Sequence, residues 1–235
     1  MTLQQPQQPP TTATPEVQPA TTTQPQPTPT PLPLPTDTPL PTDTPLPTPI
    51  LTLAHCLIRP YHPLDGPQMA AAANTPLVSR FMRNTFPHPY DLSHADSWIA
   101  LNLSATPTRN FGIYALDNVT FLGSLGVTPL PDNEYRTYEL GYWIAPEAWG
   151  KGVATEAVGG FVAWVFGEWE ECLRVEARVV EGNGGSEKVL AKVGFVREGF
   201  RRGCVWSNAG ERLGMAIWGL LREECLGEGE GAGDA

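Results

Sequence analysis

No lysine or arginine occurs before Arg59, although sixteen of the 26 prolines lie before Ile50. A stretch so rich in proline and so poor in large hydrophobes cannot propagate a helix or sheet, and cannot bury enough apolar surface to offset the entropy of ordering. Cysteine is scarce as well. Cys56, Cys172, Cys204 and Cys225 stand far apart, with no Cys-x-x-Cys and no histidine at ligand spacing, which argues against a zinc site and a disulfide scaffold and leaves reduced, mostly packing thiols. Long apolar runs are missing: the stretch from Ile50 to Ile58 is interrupted by Thr52 and His55 and is too short to span a bilayer. No secretory signal and no Arg-rich presequence is legible, so cytoplasm or nucleus is the expected address. A basic face is missing too. The net charge of −10 divides into −3 over residues 1–54, −5 over 223–235 and only −2 between, so no phosphate-backbone binding surface is expected.

What is present divides into three parts: a Pro/Thr/Gln-rich leader over residues 1–49, expected to be disordered, one domain over 50–224, and a flexible acidic Gly-rich tail over 225–235. In the leader, Thr-Asp-Thr-Pro-Leu-Pro occurs twice between Thr36 and Pro47, a pattern that favours an extended polyproline II arm. Such an arm suits a polyproline-binding partner, and Thr14, Thr28, Thr30, Thr38, Thr44 and Thr48 each precede a proline and suit proline-directed kinases.

Within the domain, Leu51 to Ile58 reads as a first strand, followed by helical segments over 64–73 and 76–83. Ser93 with Asp96 reads as the cap of a helix running to about Leu103, with Trp98 and Leu101 on one face. Three β-type runs follow, Phe111 to Leu116, Val119 to Val127 and Tyr135 to Ile144, the first two joined as a hairpin by Asp117-Asn118. Apolar residues at 157, 158, 161, 162, 165, 166 and 169 predict a core helix over 155–169. A strand over 173–180, a helix over 186–192 and strands over 195–202 and 212–221 complete a mixed α/β domain. Trp143, Trp164, Trp169, Trp206 and Trp218 read mainly as core.

The stretch Glu139-Leu-Gly-Tyr-Trp-Ile-Ala-Pro-Glu-Ala-Trp-Gly-Lys-Gly-Val-Ala-Thr-Glu-Ala157 carries the chemistry. It is a strand, a turn and a Gly-rich loop opening a helix, so free N–H groups converge with the helix dipole where a phosphate could bind. No Gly-Lys-Ser/Thr ends the loop and the third glycine of a dinucleotide fingerprint is absent, which leaves neither a P-loop nor a Rossmann motif.

Trp149-Gly-Lys-Gly-Val-Ala-Thr-Glu-Ala157 resembles the acyl-coenzyme A loop of the GNAT superfamily of N-acetyltransferases, in particular its RimJ/RimL-like branch. Three further segments match in order: Ile58-Arg59-Pro60, Gly141-Tyr-Trp-Ile144, and Asn183-Gly-Gly-Ser-Glu-Lys-Val-Leu-Ala-Lys-Val-Gly-Phe195. The resemblance spans about Leu57 to Glu224. It implies a mainly antiparallel mixed sheet flanked by helices, with splayed central strands, and acetyl-CoA as co-substrate with no metal. The pantetheine arm would lie against the backbone of Trp143, Ile144 and Ala145, with the pyrophosphate on the N–H groups of Trp149, Gly150, Lys151, Gly152, Val153, Ala154 and Thr155. Asn183 and Ser186 resemble residues that contact the arm.

Acetyl transfer by direct attack needs a deprotonated amine and a proton for the leaving thiolate. The resemblance implies Glu139 as the base. The tyrosine that many relatives use as the thiolate acid corresponds to Leu190 here, which turns attention to Ser186, a residue that would also suit a helix N-cap. His88 and Tyr90 fall, by resemblance, in a loop bordering the acceptor side. The expected reaction is N-acetylation of a primary amine on a small molecule or on a peptide or protein N-terminus. A non-catalytic acyl-CoA-binding protein and an interaction protein acting through the proline-rich arm are the competing readings, and neither nucleic acid nor membrane is expected as a partner.

Overall fold

The computed structural model describes residues 44–207 and 210–227. The leader as far as residue 43 and the tail from 228 onward lie outside the described residues, and with them Thr14, Thr28, Thr30 and Thr38 and the first part of the docking strip; Thr44 and Thr48 lie among the described residues.

The expected first strand is instead a small hairpin of β1 (Leu51–Thr52) and β2 (Leu57–Arg59). Its turn is held from outside: the Glu156 carboxylate accepts hydrogen bonds from Ala54 N (2.6 Å) and His55 N (3.0 Å). Sequence periodicity could not foresee a bend made by a side chain a hundred residues away. Next come a 3-10 turn over Pro63–Asp65, α1 (Gly66–Ala73), α2 (Pro76–Ser79) and α3 (Leu92–Leu103). The cap of α3 is Asp91 rather than Ser93: Asp91 Oδ1 accepts from His94 N at 3.2 Å, and Asp91 N donates to His94 Nδ1. The helix buries Ala95, Ile99 and Asn102, whereas Leu101 is exposed.

The sheet continues with β3 (Asn110–Tyr114), β4 (Phe121–Pro129) and β5 (Thr137–Ile144) as an antiparallel meander. The Asp117-Asn118 turn joins β3 to β4 as expected, with Asn118 at φ 61°. After β5 the helix α4 (Val153–Glu168) carries the chain over to β6 (Arg174–Val180). Then follow α5 (Gly184–Val193), β7 (Val196–Trp206), β8 (Arg212–Leu221) and α6 (Arg222–Leu226). Among the described residues eight strands lie in the order β1-β2-β3-β4-β5-β6-β8-β7. Only β5 and β6 are parallel neighbours, and α4 is the crossover such a pair requires.

The two sheet faces carry separate cores. On one, the stripe Ala157, Val158, Phe161, Val162, Val165, Phe166 and Trp169 of α4 and its C-cap packs on Leu125, Leu140, Val175 and Trp218. On the other, Met69, Ala73, Ala95 and Ile99 from α1 and α3 pack on Leu57, Tyr61, Tyr114 and Phe121. This second core also encloses an ion pair. Arg59, fully buried, donates to both oxygens of Asp65 at 3.0 and 2.9 Å and lies 3.6 Å over the Tyr114 ring, while Tyr114 OH donates to Asp65 at 2.6 Å. Trp206, expected in the core, is exposed at the end of the edge strand β7.

Candidate active site

The parallel ladder between β5 and β6 runs from Thr137/Arg174 to Leu140/Ala177 and stops there, although β5 continues to Ile144 and β6 to Val180. Beyond Leu140 the two central strands are therefore unpaired with each other, and a gap opens in the middle of the sheet. Backbone polar groups alternate in direction along a strand. Ala145 N donates to Leu122 O at 2.8 Å, toward β4, so Trp143 shares that side while Tyr142 and Ile144 turn their polar groups into the gap. Of the three residues expected along the pantetheine arm, Ile144 has the gap-facing backbone. Its carbonyl already accepts from Trp149 Nε1 at 2.8 Å.

Past a 3-10 turn over Pro146–Ala148, the loop reaches α4 through two left-handed glycines, Gly150 (φ 72°) and Gly152 (φ 82°). A Cβ at either position would meet no protein atom within 4 Å, so backbone conformation, not crowding by the protein, calls for glycine. Trp149 N donates to Pro146 O at 3.1 Å and so closes the preceding turn. The next six N–H groups, from Gly150 to Thr155, find no hydrogen-bond acceptor among the described residues; the first backbone bond of the helix is Glu156 N to Gly152 O. Gly152 offers no side chain to cap them. Orphan donors at the positive end of a sixteen-residue helix, with exposed Lys151 beside them, form a cradle for an anion.

The remaining expected residues divide between the two sides of the gap. Glu139 lies on the face that carries Trp143 and Phe86, while Tyr142 packs against the α4 side. The Glu139 carboxylate is largely buried and receives Arg83 at 2.5 Å and Arg178 at 3.7 Å, with Glu176 bound to Arg178 at 2.9 Å. Ser186 lies on the helix side, in the first turn of α5. It is not the cap of that helix: Asn183 is, its Oδ1 accepting from Ser186 N at 3.2 Å. The Ser186 hydroxyl instead meets the phenol of Tyr142, Oγ to OH at 2.8 Å, across the gap. Burial pushes the Tyr142 phenol up to about 12, against the opposing effect of its bond to Ser186. Leu190 is fully buried in the core one turn further along α5.

Sequence reasoning missed Arg83, Arg178 and Tyr142. Arg83 and Arg178 are distant in sequence from Glu139 and carry no local signal. Tyr142 sits at a core-facing position of a periodic strand, which reads as packing until Ser186 is brought opposite. Of the two loop residues, Tyr90 is buried and stacked on Phe86 at 4.9 Å, whereas His88 is exposed. Among the described residues no group of three or more His, Cys, Asp or Glu could hold a metal, and no helix is long and apolar enough to cross a membrane.

Residues 55–196 match the acetyltransferase (GNAT) domain family. YdaF of Bacillus subtilis, named as a ribosomal N-acetyltransferase, is 36% identical over 97 residues, which cover 41% of this chain and 52% of YdaF. The uncharacterized N-acetyltransferase YoaA of the same organism is 28% identical over 162 residues, covering 68% of this chain and 90% of its own. Among solved structures, Mycobacterium smegmatis RimJ in complex with CoA-disulfide superposes with a TM-score of 0.64 at 23% identity, covering 73% of this chain and 86% of RimJ.

Proposed function

The chain belongs to the GNAT acetyltransferase family, and from that premise we propose that it transfers an acetyl group from acetyl-CoA to the primary amine of a peptide or protein N-terminus. The observation that carries this reading is the run of six unpartnered N–H groups from Gly150 to Thr155, beside a gap in the sheet. Those N–H groups and Lys151 fit the pyrophosphate, and the edge of β5 at Tyr142 and Ile144 fits an extended arm that pairs as a strand would. Asn183 and Ser186 stand on the opposite bank.

The gap joins two chemically different faces. Glu139, on the one, accepts the proton of the attacking amine, and its pairing with Arg83 is the contact a cationic amine competes for. Ser186, on the other, supplies the proton to the departing thiolate. A protein acceptor and a cytoplasmic address are supported by relatives whose names refer to ribosomal proteins: YdaF, and a ribosomal-protein-S5-alanine acetyltransferase of Vibrio fischeri.

The test is release of thiol from acetyl-CoA in the presence of short peptides with a free α-amino group, with mass spectrometry of the products. Thiol release together with a peptide heavier by one acetyl group supports the reading. Acetyl-CoA binding without transfer to any peptide or small amine points to the non-catalytic alternative.

A further inference from the structure

The tyrosine expected on α5 is replaced by buried Leu190, yet a phenol does reach that helix, from the strand facing it. Ser186 and Leu190 are four residues apart and so lie on one face of α5. Tyr142 rises from β5 two residues beyond the point at which the β5–β6 ladder ends, and its OH meets Ser186 Oγ at 2.8 Å. Both residues are partly buried, and the pair bridges the gap on its helical side. We propose that Tyr142 is the positioning residue for Ser186 and the second member of a two-hydroxyl proton relay that ends at the leaving thiolate; the inference rests on the acetyltransferase reading.

Either hydroxyl can donate in the 2.8 Å contact. The relay uses the arrangement in which the phenol, a stronger hydrogen-bond donor than an aliphatic alcohol, gives its proton to Ser186 Oγ and leaves the serine proton for the thiolate. Because burial holds the phenol up to about 12, it stays protonated throughout the neutral range. In the reaction the amine nitrogen bonds to the acyl carbon and gives its proton to Glu139. The C–S bond breaks with its electron pair going to sulfur. Sulfur takes the Ser186 proton while Ser186 takes that of Tyr142. Water then receives the proton from Glu139 and returns one to the tyrosinate, so the cycle closes with no net change in the protein.

The test compares Tyr142→Phe, which keeps the ring and its packing, with Ser186→Ala and with the double variant, in the thiol-release assay with α-amino peptides. A relay predicts that Tyr142→Phe lowers kcat about 100-fold and leaves the KM for acetyl-CoA unchanged. The double variant is expected to be no slower than Ser186→Ala, since the two hydroxyls act as a unit. Difluorotyrosine at position 142 is then expected to move the alkaline limb of the kcat profile down by the difference in phenol pKa between the free amino acids. A purely structural tyrosine would not move that limb. An active wild type with Tyr142→Phe within twofold of it overturns this inference alone. A wild type that neither binds acetyl-CoA nor releases thiol overturns the acetyltransferase reading and the relay with it.

Discussion

Replacement of Gly152 by alanine separates the conformational role of the loop from its ligand role. Gly152 sits at φ 82°, where a Cβ costs about 1–2 kcal/mol in an L-residue. No protein atom lies within 4 Å of that Cβ, so backbone strain is the whole expected cost in the absence of ligand. For a domain of this size 1 kcal/mol corresponds to about 2–4 °C, so the free protein should melt about 2–8 °C lower. Coenzyme A at 100 times its Kd should stabilise the wild type by about 2.7 kcal/mol, a rise of about 5–11 °C. If the added methyl group occupies space meant for phosphate and weakens binding about 100-fold, the same ligand concentration gives only about 0.4 kcal/mol. The ligand-induced rise should then fall to about 1–2 °C.

The control is Gly194→Ala at the C-cap of α5, where φ is 106° and the nearest atom, Leu220 Cδ1, lies at 3.9 Å. It meets a comparable backbone cost away from the loop and should keep the full coenzyme A response. Thermal unfolding of the three proteins with and without ligand decides the matter. A Gly152→Ala protein that loses stability yet shows the complete rise would refute the assignment of the loop as the phosphate cradle.

Other perturbations test other parts of the argument. Asp65→Ala leaves the buried Arg59 guanidinium without its carboxylate and should cost about 3–5 kcal/mol by urea unfolding; a loss below 1 kcal/mol would contradict the buried-pair reading. Glu139→Gln should lower kcat about 100-fold at neutral pH if the carboxylate accepts the amine proton, with acetyl-CoA affinity unchanged; full turnover removes Glu139 from the mechanism. Burial first, then Glu156, raises the Cys56 thiol to about 11, and burial likewise raises Cys172 to about 11. The unfolded chain therefore ionises these thiols near pH 9 while the folded chain holds their protons, so stability should decline between about pH 9 and 11. Urea midpoints that stay flat from pH 8 to 10.5 would show that the thiols are not sequestered.

Patterns that repeat over short distances were legible from residue identity alone. The apolar spacing of α4 announced its buried face because a helix has one period and a core has one direction. The glycines at 150 and 152 announced a tight loop opening that helix, and the matching segments in order announced the GNAT family. Where a bond to a distant side chain decides the local backbone, the sequence was mute. The run from Leu51 reads as one strand because nothing in it reveals Glu156, which bends it into a hairpin.

The α4 helix and the Gly-rich loop that opens it were thus legible in local sequence, since each depends on residues within one or two turns of one another. Tertiary structure alone decided which side chains share the gap. Glu139 gained Arg83 and Arg178, and Ser186 gained Tyr142 instead of a capping role. These partners lie on separate elements, and only the packing of those elements on the two faces of one sheet brings their atoms within hydrogen-bonding distance.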